Sequence, residues 1–254
     1  MGLLRFWRRS VDVPDTDQLR RLVARWLAPW PTLSSDEQAY LLELTDVLVH
    51  ELRWEAANGF EVTAAMQACV AAHAAMLVLA FDDGLDSYLD VSSVIMHPST
   101  IVRKGTKYLG DGLFTDDDDP IIGEAIHRGP VLVSWDAASI QARTPSRGEN
   151  VLYHEFAHRL DMLDGMSDGT PLIPADEQFD EFVRVCTESL RTLRRHEEPS
   201  VLRNYATTNP AEFFAVATEV FFTRPVPLRE ENPALYGVLR DYFRQDPAAR
   251  RPMY

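Results

Sequence analysis

Residues 154–158 read His-Glu-Phe-Ala-His. On an α-helix, positions four apart differ by about 400° of rotation, so the two imidazoles stand about 40° apart on one face, one turn from each other. His154 and His158 can therefore offer ring nitrogens to one tetrahedral zinc. Glu155 is turned about 100° from His154, close enough to reach a water on the metal without being a ligand. The chemistry that fits is hydrolysis: zinc lowers the pKa of its water, and Glu155 takes the proton as that water attacks a carbonyl.

A zinc hydrolase needs a third protein ligand and an open position. Asp161, three residues after His158, lies on nearly the same face, and a ligand so close on one helix would strain the tetrahedron. Its expected role is to orient an imidazole N–H. Asp164 stands six residues after His158, so the pattern of three nearby histidines is absent. Glu212 and Glu219 remain; seven apart on a helix, they share a face within about 20°. Asn209 and Pro210 also suit Glu212 to a capping box. Spacing does not choose between the two glutamates.

The elements that must position these residues follow from periodicity and punctuation. Apolar spacing predicts helices over about 16–30, 37–53 and 63–79, with Ser34-Glu37 as a capping box and Thr63 as a cap. Residues 93–97 and 130–135 are short β-rich runs bounded by Pro, Gly and Asp, and read as strands. Asp116–Asp119 reads as a solvated loop, since calcium-loop spacing and its glycine are missing. Helices return over about 148–163, 175–196, 209–222 and 233–245. With Val151, Leu152, Tyr153, Phe156, Ala157 and Leu160 around it, the His-Glu-His helix is expected to be packed rather than exposed. The expected fold class is α+β, mostly helical with a small β-sheet. Residues 1–254 form one domain: a helical first third (about 16–81), short strands (about 91–135), then the helices of 148–163 and 209–222.

Composition bounds the function. The chain has 254 residues, of which 46% are hydrophobic and 25% charged, an ordinary globular mixture. Its formal charge of −14 repels phosphate backbones and anionic membranes, so direct nucleic-acid binding is a poor first expectation. Val62–Phe81 reads as a buried helix, because Gln67 and His73 interrupt it and Asp82-Asp83 end it. The N-terminus carries neither the apolar core of a secretory signal nor a hydroxyl residue at position 6 for myristoylation. Cys69 and Cys186 sit in apolar helical contexts and read as free thiols. A cytoplasmic protein is expected.

His154 through Gly165 (HEFAHRLDMLDG), followed by Tyr205 through Val216 (YATTNPAEFFAV), resembles the Mlc titration factor A family of zinc metallopeptidases. Gly59–Thr63, Val131–Trp135 and Tyr242–Pro247 resemble it too, so the likeness runs from about residue 50 to the end. The resemblance implies a zincin-like core similar to the catalytic part of anthrax lethal factor. It implies zinc ligands His154, His158 and Glu212, with Glu155 as general base and Tyr205 as donor to the oxyanion. Glu219 is then left as an orienting or structural acid. The implied activity is aminopeptidase-like hydrolysis of peptide substrates. The alternative is a regulatory protein that binds and titrates a sugar-responsive transcriptional repressor, independently of catalysis. The acidic charge fits a partner that itself binds DNA.

Overall fold

The structure, a computed structural model, describes residues 14–57, 59–99, 101–103, 107–108, 114–115, 119–121, 123–125, 129–173, 176–195 and 200–250. The chain opens with α1 (Thr16–Trp26), capped by Asp15, and α2 (Ser35–Glu51). Both halves of the Ser34–Glu37 capping box form. α2 ends before Arg53, and Arg53–Ala56 are strand β1 rather than the tail of that helix. The four residues are too few, and too charged, to show the alternation of a half-buried strand.

α3 (Ala64–Leu77) starts on the Thr63 cap and is buried all round from Gln67. Among the described residues no helix is long and apolar enough to cross a membrane. β2 (Ser93–His97) is followed by two small antiparallel pairs, β3 (Ile101–Arg103) with β6 (Asp119–Ile121) and β4 (Lys107–Tyr108) with β5 (Phe114–Thr115). β7 (Gly123–Ala125) and β8 (Val131–Ser134) complete the strands. Residues 116–118 of the expected acidic loop lie outside the described residues, as does the N-terminal decapeptide, while Asp119 begins β6, its backbone opposite residue 103 in the strand register.

The main sheet has the order β1-β2-β8-β7; the first three strands are parallel and β7 is antiparallel to β8. Val94 faces Val131 and Met96 faces Val133 in register, all four fully buried. Trp135, expected to end the last strand, instead begins α4 (Trp135–Gln141). Its β-favouring ring misleads a local reading, because the chain turns into a helix there.

α5 (Val151–Asp161) carries the two histidines, and every one of its residues is buried. It lies between the sheet, through β7 and β8, and α7. α6 (Asp176–Arg195), α7 (Pro210–Thr223), α8 (Pro225–Glu231) and α9 (Pro233–Phe243) close the chain. The buried side chains form one hydrophobic core, with Phe156 and Phe214 at no exposure. The fold is α+β and mostly helical, with a small sheet. Cys69 and Cys186 are free, and burial pushes both thiols up, Cys186 to about 12.

Candidate metal centre

Asn150 starts the site. Its side-chain oxygen accepts from the amides of Leu152 and Tyr153, which fixes where α5 begins and which face carries His154, Glu155 and His158. From the neighbouring helix, Glu219 reaches α5 and accepts the Nδ1–H of His154 at 2.7 Å and the Asn150 amide at 2.6 Å. Arg203 caps the other side of that carboxylate, donating from both terminal nitrogens at 2.8 and 2.7 Å. A fully buried carboxylate is thus hydrogen-bonded on both oxygens and its charge is matched. Holding Nδ1–H leaves the Nε2 lone pair of His154 free to face the opposite way.

On that side three donor atoms meet. His154 Nε2 and His158 Nε2 are 3.2 Å apart. Glu212 Oε2 lies 3.0 Å from the first and 3.6 Å from the second. The edge of a tetrahedron built with zinc–ligand bonds of 2.0–2.1 Å is about 3.3 Å. Among the described residues, these three form the one group of His, Cys, Asp or Glu side chains arranged to hold a metal. Without an ion, burial would lower the pKa of His154, yet Glu212 and Glu219 outweigh it and raise it to about 10. For His158 burial prevails and the pKa falls. Burial alone would raise Glu212, but both imidazoles hold it far below the carboxylate range. The charges of Glu155, Glu212 and Glu219 all act on His154, while Arg203 pairs with Glu219.

Glu155 is almost fully buried on α5 and outside the donor set, and its charge helps to raise both His154 and Tyr205. Tyr205 is half exposed, its ring 6.0 Å from that of His154 and 5.6 Å from the Arg203 guanidinium. Burial, then the charge of Glu212 and a hydrogen bond to it, push its hydroxyl well above the usual range. The expected site residues therefore converge: His154, His158 and Glu212 directly, with Glu155 and Tyr205 beside them.

Two local readings differ. Asn209 caps α7 by accepting the Glu212 amide, but the Glu212 side chain turns to the histidines instead of closing a capping box. Asp161 orients neither imidazole: Glu219 holds His154 Nδ1, and His158 Nδ1 has no hydrogen-bond partner among the described residues. Asp161 instead accepts from Gly169 and Ser167, since the chain folds back over it after α5. Sequence reasoning missed Asn150 and Arg203. An Asn before an apolar helix is a readable cap signal; Arg203 carries none, because its contact with Glu219 is purely tertiary.

The family model of the glucose-regulated metallopeptidase M90 matches residues 4–244. An uncharacterized protein of Synechocystis sp. is 29% identical over 221 residues, which cover 85% of this chain and 79% of that protein. Mlc titration factor A of Edwardsiella ictaluri is 29% identical over 237 residues, 87% of this chain and 89% of its own. That of Klebsiella pneumoniae is 30% identical over 224 residues, covering 86% and 83%.

Proposed function

As the chain belongs to the glucose-regulated metallopeptidase M90 family, we propose that it is a zinc-dependent, aminopeptidase-like peptidase whose residues 1–254 act as one cytoplasmic metallopeptidase domain. The observation that carries this reading is the meeting of His154 Nε2, His158 Nε2 and Glu212 Oε2 at the edge lengths of a zinc tetrahedron. His154, His158 and Glu212 would hold the ion, and Glu219 fixes the tautomer of His154. When bound, zinc lowers the pKa of a water and polarises the scissile carbonyl. Glu155 takes the proton of the attacking water and passes it to the leaving amine. Tyr205, exposed enough to meet a substrate, donates its hydroxyl to the oxygen that gains charge. A phenol keeps that proton at neutral pH.

Zinc content and peptidase turnover of the wild type, Glu155→Gln and His154→Ala test this directly. Glu155→Gln should keep zinc and lose activity by at least about a hundredfold; His154→Ala should lose both. Full activity in Glu155→Gln contradicts the assignment of the base.

The name that two of these relatives carry, Mlc titration factor A, favours a second reading: titration of a partner named Mlc, which the resemblance takes to be a sugar-responsive transcriptional repressor. It is compatible with the first, and the acidic charge supports a DNA-binding protein, rather than DNA, as the partner.

A further inference from the structure

Asp161 ends α5 with a fully buried side chain. The chain then reverses through Gly165, whose φ of +93° is the left-handed conformation that glycine adopts at least cost. It returns so that the Gly169 amide donates to Asp161 Oδ2 at 3.0 Å, with the Ser167 hydroxyl at 3.5 Å from the same oxygen. Gly169 is itself left-handed, with φ +79°, and its backbone lies flush on the start of α7. A Cβ placed there would stand 2.2 Å from the Pro210 carbonyl oxygen, 2.5 Å from its carbon and 3.0 Å from the Ala211 nitrogen. Pro210 and Ala211 are the first two residues of α7, and Glu212 is the third.

One hydrogen bond and one backbone-to-backbone contact therefore join the end of the histidine helix to the beginning of the glutamate helix. We propose that Asp161 and Gly169 are positioning residues that set how closely Glu212 approaches the two imidazoles. The proposal rests on the metal-site reading above. Asp161 fixes the height of the returning loop above α5. The missing side chain at residue 169 lets α7 come down onto that loop. A methyl group at 169 overlaps backbone, so no side-chain rotation relieves it, and ordinary contact is restored only by a displacement of about 1 Å. A metal site tolerates about 0.2 Å in its bond lengths. A shift of α7 by several times that amount takes Glu212 out of bonding reach.

The test is a zinc titration against a chromogenic chelator, which needs no substrate and no turnover. Gly169→Ala and Asp161→Ala should weaken zinc binding by about 10- to 100-fold, the scale of lost support to a metal ligand. Asp161→Asn keeps an oxygen for the Gly169 amide and should bind nearly as the wild type. On a Glu212→Ala background, Gly169→Ala should cause no further loss, because the residue it positions is gone. Circular dichroism of the metal-free proteins identifies any variant that does not fold, and the remaining aspartate variants then decide. Wild-type affinity in Gly169→Ala and Asp161→Ala, or an equal loss with Glu212 already removed, overturns the positioning role and leaves the metal site standing. Failure of the wild type itself to bind zinc overturns the metal-site reading and this one with it.

Discussion

His154 meets a carboxylate on each side of its ring, Glu219 at Nδ1 and Glu212 at Nε2. One acid accepts at Nδ1 and the other at Nε2, so in the metal-free protein the imidazole keeps a second proton, on Nε2, that a cation would displace. Asp161 shows the opposite electrostatics. Burial raises its pKa from 3.8 to about 7, against the Gly169 and Thr170 amides, which lower it. A carboxyl whose folded pKa is raised binds more protons in the native state than in the unfolded one. Its contribution to stability is therefore complete below about 4 and is lost as pH rises through about 7. In chelator-treated protein, Asp161→Asn should gain stability relative to the wild type between about pH 5 and about pH 8. Thermal unfolding at the two values checks this, and an equal difference at both would contradict it. At this scale the motif residues were legible because His154, Glu155 and His158 carry their geometry in local spacing. Glu212 and Glu219 share a face, so only the fold separates the atom beside Nε2 from the atom beside Nδ1.

α5 is the element on which the site depends, and its register is set at residue 150. The Asn150 side chain satisfies two amides of the first turn, while its own amide anchors Glu219. Asn150→Ala removes the cap and leaves that backbone anchor in place. It should cost about 1 kcal/mol, seen as a melting temperature lower by about 2–4 °C with zinc still bound. An unchanged melting temperature would show that tertiary packing alone fixes the helix start. Helices with clear stop and start residues were legible in the sequence: Ser34, Thr63 and Asn209 cap where expected. β1 was not, since four residues with two charges show no period, and neither was α4, whose first residue is an aromatic. α8 is a seven-residue helix between prolines, too short to show a repeat.

Across the whole molecule, the end of the chain is tied back to its first third. Gln245 donates to the Met76 carbonyl at 2.8 Å, Arg250 pairs with Glu37 at 2.9 Å, and Arg244 pairs with Asp82 at 2.6 Å. These contacts join residues 244–250 to α2, to α3 and to the segment just after it. The net charge of −14 also acts at this scale: it speeds encounter with a basic partner and opposes DNA itself. If the chain titrates a repressor, immobilised Glu155→Gln should capture a purified Mlc-type repressor as well as the wild type does, and more weakly as salt is raised. Capture abolished by Glu155→Gln would make binding depend on the catalytic acid and would contradict a separate regulatory role.

The central claim is that α5 and α7 converge on one divalent ion. Anomalous diffraction at the zinc edge from a zinc-soaked crystal tests it most directly. The expected result is a single strong peak about 2.0–2.2 Å from His154 Nε2, His158 Nε2 and a Glu212 carboxylate oxygen. A peak elsewhere, or none at this site with Glu212 turned away from both imidazoles, would contradict it.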